Sequence, residues 1–289
     1  MLSASMTALS IPHSPFPIPG SIAFIGGGNM ARSLIGGLVA RGHQAHSIRV
    51  AEPVAALREA LQQDFGVQTF ENAPAAAQGA SQWLLAVKPQ VMRAVCQELA
   101  ALAQAGTPLV LSIAAGITAT QLDTWLGGSL PVVRAMPNTP ALLGVGITGL
   151  FANAATSSVQ RDAAATLLQA VGPTVWIDDE AQMDAVTAVS GSGPAYVFLL
   201  AESMQAAGVA QGLRADAARA LVQQTLLGAA TMLAQLPEPA NVLRARVTSP
   251  GGTTQAAIEA FEAGGFRGLV EQAIAAATRR GRELSAANN

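Results

Sequence analysis

The apolar positions of this chain follow two different spacings. From residue 21 to about residue 177, short apolar runs alternate with segments in which apolar residues recur every three or four positions. The short runs are typical of buried strands, and the wider spacing is typical of helices that bury one face. Because strands that alternate with helices form crossover units, this part of the chain predicts an α/β domain built on a doubly wound parallel sheet.

Six strands and three helices are predicted in this first part. Gly42 and Gly66 end the first two helices, because glycine accepts the left-handed conformation that often stops a helix. The predicted strands lie in SIAFIG, SIRVAEP, SQWLLAVKP, TPLVLSIAAG, LPVVRAMPNTP and TVWID, and the predicted helices are NMARSLIGGLVARG, VAALREALQQDFG and QVMRAVCQELAALAQAG.

From residue 178 onward the spacing is helical and no strand is predicted. The helical segments begin at PAYVFLL, RADAARA, TTQAAIE and FRGLVEQ, and their apolar faces are wide enough to be buried on more than one side. Such surplus apolar surface indicates a partner chain. We therefore expect an N-terminal extension over residues 1–20, a nucleotide-binding domain over 21–177, and an all-α dimerisation and substrate domain over 178–289.

Composition excludes several classes of protein. Hydrophobic residues make up 51% of the 289 residues, charged residues 12%, and the formal net charge is −2. A chain without excess positive charge lacks the electrostatic footprint of a nucleic-acid-binding protein. The longest apolar runs are shorter than the ~18 residues that cross a bilayer. Residues 1–20 contain four prolines and no Lys or Arg, unlike a secretory signal.

Side chains that could carry out acid–base or metal chemistry are few. Cys96 is the single cysteine, which excludes an internal disulfide and a multi-cysteine metal site and favours a reducing, cytoplasmic location. The histidines lie at positions 13, 43 and 46, and Lys88 is the single lysine. We expect no metal, and an acid catalyst would have to be Lys88, Tyr196, a carboxyl group or a hydroxyl.

A glycine motif follows the first predicted strand and opens the first helix. Gly26 allows a tight turn, Gly28 allows a pyrophosphate to approach the backbone, and Ala31 allows close helix packing. The helix N-terminus stabilises the negative charge of the pyrophosphate. Glu52 ends the second strand, where a carboxylate accepts a hydrogen bond from a ribose 2′-hydroxyl and repels a 2′-phosphate. An ordinary surface carboxylate would look the same, so the choice between NADH and NADPH stays open.

Lys88 lies at the carboxyl end of a predicted strand, the edge at which ligands bind in a doubly wound sheet. Pro89 disfavours helical geometry at Lys88 and keeps the turn extended, so the backbone from Ala86 to Pro89 faces the crevice. The alternative is a lysine that reaches from an apolar strand to water. We favour the cofactor contact.

Three further segments are rich in glycine, proline or hydroxyl groups. RAMPNTP at residues 134–140 is a stiff loop that borders a site or is a structural turn, and AVSGSGPAY at 188–196 reads as a small-residue loop before a helix. TSPGGTT at 248–254 combines a turn, two glycines and a helix start, so its backbone amides converge on an anion site that suits a small carboxylate. An ordinary capped helix start is the alternative.

Together these segments resemble the bacterial pyrroline-5-carboxylate reductases. FIGGGNMA, AVKP, SIAAGIT, RAMPNTPAL, MDAVTAVSGSGPAYVF and VTSPGGTTQAAIEAFEAGGFR occur in the order and spacing of that family, from about residue 21 to the end. The resemblance implies reduction of Δ1-pyrroline-5-carboxylate to L-proline by NADPH or NADH. It also implies a Rossmann domain followed by a helical dimerisation domain, in homodimers or larger homo-oligomers such as decamers.

The resemblance also implies roles for individual residues. Thr254 would donate a hydrogen bond to the imine nitrogen and is the predicted catalytic residue. Substrate would contact Glu180, Ser249, Gly251, Gly252, Thr253 and Thr254. The predicted cofactor contacts are Ile25, Gly26, Gly27, Gly28, Asn29, Met30, Glu52, Asn72, Ala86, Val87, Lys88, Pro89, Ala114 and Ala115.

The chain departs from the family before the SPGG loop. The family often has HP and LKD there, whereas this chain has EPANVLRARV, which includes Arg246. Two other functions compete with the reductase. A two-domain reductase of the β-hydroxyacid dehydrogenase type usually relies on a lysine in its helical domain, and no lysine follows Lys88 here. A nucleotide-binding regulatory protein would not need the SPGGTT loop.

Overall fold

The computed structural model describes residues 20–287. Residues 1–19, nearly all of the predicted N-terminal extension, lie outside the described residues. Eight strands form one sheet in the order β3-β2-β1-β4-β5-β6-β7-β8. The strands are β1 Ile22–Ile25, β2 Ile48–Ala51, β3 Gln68–Phe70, β4 Gln82–Leu85, β5 Leu109–Ser112, β6 Val132–Met136, β7 Thr148–Ala152 and β8 Thr174–Trp176.

The predicted doubly wound parallel sheet is confirmed. All neighbouring strands run parallel except β6 and β7, which are antiparallel. β3 and β7 were not predicted from the sequence. β3 has three residues, none of them fully buried, and β7 contains Gly149, which interrupts its apolar sequence pattern. A Cβ on Gly149 would lie 2.5 Å from Val186 Cγ1, so the glycine that weakens the strand pattern is needed for packing.

Both faces of the sheet are covered. Along β1, Ile22 and Phe24 belong to one apolar cluster, whereas Ala23 and Ile25 belong to the other. All four side chains are at most 1% exposed, as expected for a strand buried on both faces. Cys96 belongs to the second cluster, and burial raises the pKa of its thiol to about 12. The single cysteine is therefore an unreactive part of the core.

Twelve α-helices lie between and after these strands in the described residues. They are α1 Asn29–Ala40, α2 Ala55–Phe65, α3 Ala73–Ala77, α4 Pro89–Gly106, α5 Ala119–Trp125, α6 Ser158–Leu168, α7 Met183–Val186, α8 Gly193–Ala210, α9 Ala215–Gln235, α10 Ala240–Arg246, α11 Thr253–Ala263 and α12 Phe266–Ala287. No strand follows Trp176 in this part of the chain, in agreement with the predicted helical region. None of the described helices is both long and apolar enough to span a membrane.

The prediction of a loop at the start of AVSGSGPAY was wrong. Residues Thr187–Gly191 form a π-helical turn that continues α7, and α8 begins at Gly193. Asn138 Nδ2 donates a hydrogen bond to the Ser190 carbonyl at 3.1 Å, and Ala188 is fully buried. Small residues therefore serve tight helical packing here, although the same composition is typical of loops.

The chain divides into two compact units. The first extends through Gly191 and takes in the chain from Arg279 onward, and the second is Ser192–Thr278. The first unit thus passes residue 177, at which the predicted first domain ended. Met183 is 2% exposed and Ala188 is fully buried. This burial shows that the segment after β8 packs within the first unit.

The second unit leaves much of its apolar surface exposed in a single chain. Phe198 is 67% exposed, and Leu199 and Leu269 are each 64% exposed. Helices α8, α11 and α12 contain no fully buried residue. Exposed large apolar side chains in this number are typical of a surface that contacts another protein.

Candidate active site

The site of the first unit lies where the chain leaves β1 and β4. These two strands are neighbours in the sheet, and β2 lies on the other side of β1. The order of strands therefore reverses between β1 and β4, and ligands of doubly wound sheets bind in the crevice at such a point. The glycine motif follows β1, and the segment Ala86–Pro89 follows β4. The predicted cofactor residues are thus brought to one edge of the sheet.

Gly26 joins these two loops by close backbone contact. Its φ is +108°, which side-chain-bearing residues rarely adopt, and a Cβ there would lie 2.8 Å from the Ala86 carbonyl oxygen. The Gly26 N–H donates to the Ala51 carbonyl at 2.9 Å, and the Ala86 N–H donates to the Ile25 carbonyl at 2.8 Å. A side chain at position 26 would separate the two loops.

Gly28 opens the crevice at the N-terminus of α1. A Cβ added to Gly28 would meet no atom within 4 Å, and no side chain caps the helix that begins at Asn29. The backbone N–H groups of the first turn are therefore available to an anion, and the helix dipole favours negative charge there. These features fit the pyrophosphate of a dinucleotide. Ile25 and Met30 flank the same turn.

Glu52 directly follows β2 and is 7% exposed. Its Oε2 accepts a hydrogen bond from the Gly27 N–H at 3.1 Å, and its Oε1 accepts one from the Val54 N–H at 3.0 Å. Each carboxylate oxygen keeps capacity for a further donor. The predicted ribose contact is therefore compatible with these bonds, and Glu52 also holds the glycine turn.

The remaining predicted cofactor residues lie at the same edge of the sheet. Asn72 follows β3 and caps α3, because its Oδ1 accepts a hydrogen bond from the Ala75 N–H at 2.9 Å. Lys88 is exposed and makes no ion pair among the described residues. Ala114 and Ala115 follow β5, and the Ala114 N–H donates to Ser112 Oγ at 3.3 Å. Their cofactor contacts stay predictions.

Glu180 lies in the first unit and forms an ion pair with Arg134 of β6. Arg134 Nη1 lies 2.8 Å from Glu180 Oε1, and the Ala119 N–H donates to the same oxygen at 2.6 Å. The Arg134 side chain is 8% exposed and that of Glu180 is 23% exposed. Glu180 therefore links β6 to the start of α5, and its predicted substrate contact stays a prediction.

Asp184 lies one turn beyond Glu180 and forms a charged cluster with Glu180 and Arg134. Burial raises the pKa of its carboxyl group, and the nearby charges of Arg134 and Arg282 act in the opposite direction. A Cβ on Gly281 would lie 2.9 Å from Asp184 Oδ1, so the end of α12 approaches this cluster closely. Sequence reasoning missed Arg134, although an arginine inside a buried strand signals a paired acid.

The TSPGGTT segment lies in the second unit and opens α11. Gly251 has φ +71°, its N–H donates to Gln255 Oε1 at 2.7 Å, and the Gly252 N–H donates to the Ser249 carbonyl at 3.1 Å. No side chain caps the helix at Gly252. The N–H groups of Thr253 and Thr254 in the first turn are therefore the loop donors best placed for a carboxylate.

Gln255 was not predicted, and it holds the loop. Its Nε2 donates to Glu259 Oε1 at 2.7 Å, which orients the amide so that Oε1 faces the Gly251 N–H. The signal in the sequence is weak, because a glutamine in the first turn of a helix is common. The predicted catalytic and substrate residues thus fall in both units, with Glu180 in the first and Ser249–Thr254 in the second.

The sheet, the open glycine turn and the separate helical unit define a two-domain, nicotinamide-nucleotide-dependent oxidoreductase. Two family models match the chain. One is described as pyrroline-5-carboxylate reductase dimerisation and matches residues 180–284, and the other as NADP oxidoreductase, coenzyme F420-dependent, and matches residues 21–116.

Individual relatives agree with these family models. The pyrroline-5-carboxylate reductase of Pseudomonas aeruginosa is 54% identical over 91% of this chain and 96% of its own length. The solved structure of the Coxiella burnetii reductase has a TM-score of 0.89 at 41% identity, covering 92% of this chain and 98% of that one. The Plasmodium falciparum enzyme, solved with NADP bound, has a TM-score of 0.81 at 26% identity, covering 93% of this chain and 100% of that one. This chain belongs to the pyrroline-5-carboxylate reductase family.

Gly26 and Gly28 should respond differently to substitution by alanine. Gly26→Ala places a Cβ against the Ala86 carbonyl in a backbone conformation that strains an L-residue, so we expect the free energy of unfolding to fall by at least about 2 kcal/mol. Gly28→Ala has space for its methyl group and should unfold like the wild type, but it should weaken dinucleotide binding at least about tenfold.

Denaturant unfolding and calorimetric titration with NADH and NADPH separate the two effects. Equal stability of Gly26→Ala and the wild type would contradict the role given to Gly26. Unchanged binding by Gly28→Ala would contradict a pyrophosphate site at the N-terminus of α1.

Proposed function

We propose that this protein reduces Δ1-pyrroline-5-carboxylate to L-proline with a reduced nicotinamide nucleotide, the last step of proline biosynthesis. The observation that carries this proposal is the TSPGGTT segment, whose turn leaves the first amides of α11 without a side-chain cap in a chain of the reductase family. The open glycine turn of the first unit supports the nucleotide half of the same reaction.

The reaction adds a hydride to the carbon of a cyclic C=N bond, and the nicotinamide supplies that hydride when it is bound. The chain must anchor the substrate carboxylate, contact the imine nitrogen and hold the ring in line with the donor. An imine nitrogen can enter already protonated, so the chain needs no strong general acid. The absence of a need for a strong general acid suits a chain in which no histidine follows His46.

The carboxylate of the substrate is assigned to the N-terminus of α11. Gly251 and Gly252 donate their N–H groups inside the loop, to Gln255 Oε1 and to the Ser249 carbonyl. The Thr253 and Thr254 N–H groups then supply the hydrogen bonds, and the dipole of an eleven-residue helix adds a favourable charge interaction of about 0.3–1 kcal/mol. Ser249, Gly251 and Gly252 contribute by shaping the loop.

The Thr254 hydroxyl is assigned to the imine nitrogen. Thr254 is half-buried in the first turn of α11, and within the described residues its hydroxyl makes no hydrogen bond. A neutral hydroxyl donates to an unprotonated imine nitrogen and accepts from a protonated one, so it can stay in contact throughout the reaction. Thr254 is therefore the proposed catalytic residue.

Lys88 is assigned to the cofactor side of the reaction. Its side chain is exposed. Lys88 is the N-cap residue of α4, and its backbone is extended, with φ −63° and ψ 145°. Pro89 enforces this extended geometry. We therefore assign the contribution of this position to its backbone and not to its ammonium group.

The family model for a dimerisation domain and the exposed apolar residues of the second unit support a homo-oligomer. A decamer and a cytoplasmic location are further proposals. Size-exclusion chromatography with light scattering measures the number of chains in the assembly directly.

Purified protein should oxidise NADH or NADPH when pyrroline-5-carboxylate is added, and it should form one proline for each nucleotide oxidised. The absorbance of the reduced nicotinamide and amino-acid analysis measure the two quantities. A reaction without substrate is the control. Failure to oxidise either nucleotide would contradict the proposed function and favour a regulatory nucleotide-binding protein.

The Thr254 hydroxyl can be tested with a pair of substitutions of similar size. Thr254→Val removes the hydroxyl and should lower kcat about 10²-fold, the usual cost of removing one preorganised hydrogen-bond donor. Thr254→Ser keeps the hydroxyl and should stay within about tenfold of the wild type. Both variants should keep the wild-type Tm, because the residue is half-buried and its hydroxyl has no partner in the described residues. An unchanged kcat in Thr254→Val would exclude the catalytic role.

A further inference from the structure

We propose that Arg134 is a positioning residue for hydride transfer, which acts through Glu180 to fix the loop between β5 and α5. The loop covers residues 113–118 and carries Ala114 and Ala115, two of the predicted cofactor contacts. The inference rests on the proposed nicotinamide-dependent function and adds a residue to which no contact with substrate or cofactor is assigned. It also gives Glu180 a role different from the predicted substrate contact.

The loop lies on the nicotinamide side of the crevice. In the sheet, β5 is next to β4, on the side of the strand-order reversal away from β2. The dinucleotide of a doubly wound fold crosses the carboxyl ends of the strands, with its adenosine ribose beside the second strand and its nicotinamide half beyond the reversal. The loop after β5 therefore borders the ring from which the hydride leaves, and the position of that ring controls the rate of transfer.

The first residues of the loop are fixed by the sheet. The Ile113 N–H donates to the Leu85 carbonyl at 3.2 Å, and the Ala114 N–H donates to Ser112 Oγ at 3.3 Å. Ser112 ends β5 and pairs in register with Arg134 of β6. The Arg134 side chain therefore starts beside the residue at which the loop leaves the sheet.

The far end of the loop is held by the Glu180 carboxylate. Its Oε1 accepts from the Ala119 N–H at 2.6 Å. Ala119 is the first residue of α5, so its N–H has no acceptor within the helix. Arg134 Nη1 lies 2.8 Å from the same Glu180 oxygen. One oxygen atom thus joins the end of the loop to β6.

The burial of this ion pair indicates a geometric role. The Arg134 side chain is 8% exposed and that of Glu180 is 23% exposed. A buried ion pair adds little net stability compared with apolar residues of similar size, because the loss of hydration opposes the attraction between the charges. Stability alone therefore gives little reason for a guanidinium group inside β6. What the pair provides is a carboxylate held at one place beside Ala119.

Other contacts of the loop and of α5 do not involve Arg134. Gly116 has φ +72°, and a Cβ there would lie 3.2 Å from Leu284 Cβ. Gln121 Nε2 of α5 donates to the Ser285 carbonyl at 3.4 Å. All four of these residues belong to the first unit. We therefore expect the loop to shift, and the first unit to stay folded, when Arg134 is replaced.

The test replaces Arg134 and Glu180 by methionine in the full chain, singly and together. Each single variant leaves one charge unpaired, whereas Arg134→Met/Glu180→Met puts two apolar side chains in place of the ion pair and should fold. Single-turnover stopped-flow measurements with enzyme in excess give the rate constant of hydride transfer. This rate constant should fall at least about tenfold in the double variant, because the nicotinamide is less well aligned. The Kd of the reduced nucleotide should change less than about threefold, since its pyrophosphate and adenosine ribose bind at β1 and β2.

Three readouts separate this role from others. If Arg134 acts through Glu180, the losses in the two single variants do not multiply in the double variant. A merely structural role lowers the Tm and the amplitude of the turnover but leaves the rate constant of the folded molecules unchanged. The fluorescence of reduced nicotinamide bound without substrate should change in the double variant, because the loop borders the ring.

The matched control is Arg93→Met, which removes the same charge from an exposed position on α4, where the guanidinium lies over the Trp125 ring at the end of α5. It should keep the wild-type rate constant and fluorescence. A wild-type rate constant in the double variant would overturn the inference and leave the proposed function intact.

Two further results would also overturn the inference alone. One is a pair of single losses that multiply in the double variant. The other is a slower transfer with unchanged nicotinamide fluorescence, which is expected if Glu180 contacts the substrate directly. Absence of turnover in the wild type would overturn the inference together with the proposed function.

Discussion

The close contact between Gly26 and the Ala86 backbone is the constraint on which the nucleotide site depends. A turn with φ +108° and no side chain brings the loop after β1 against the loop after β4, at the point where the strand order reverses. The same turn presents the Gly27 N–H to Glu52 and leaves open space above Gly28 at the start of α1. The proposed pyrophosphate site and the proposed ribose contact therefore both depend on one backbone conformation.

Much of this arrangement could be predicted from the sequence, because local patterns encode it. Apolar runs that alternate with helical spacing specify the sheet, and glycines at fixed offsets after a strand specify the turn. β3 and β7 escaped prediction because one is short and half-exposed and the other carries Gly149, whose need arises from the distant Val186. The π-helical turn Thr187–Gly191 was mistaken for a loop because the contacts that make it helical come from elsewhere in the fold, as with Asn138 and Ser190.

The site residues also fall into two groups: those that a local sequence pattern marks and those that only the fold brings together. Glu52 and Thr254 stand at recognisable positions next to a strand end and a helix start, whereas Arg134 and Glu180 are 46 positions apart and only the fold brings them together. Gln255 acts through a hydrogen bond to Gly251 that no sequence pattern marks. The exposed apolar side chains of the second unit and the match to a dimerisation-domain family support a homo-oligomer.

A crystal structure of the protein with bound NADH tests the central claim most directly, because that claim concerns where the dinucleotide lies. The account predicts the pyrophosphate within hydrogen-bond distance of the backbone N–H groups at Gly28 to Met30, and the adenosine ribose hydroxyls in contact with the Glu52 carboxylate. A dinucleotide bound away from the crevice between β1 and β4, or a ribose out of reach of Glu52, would contradict it.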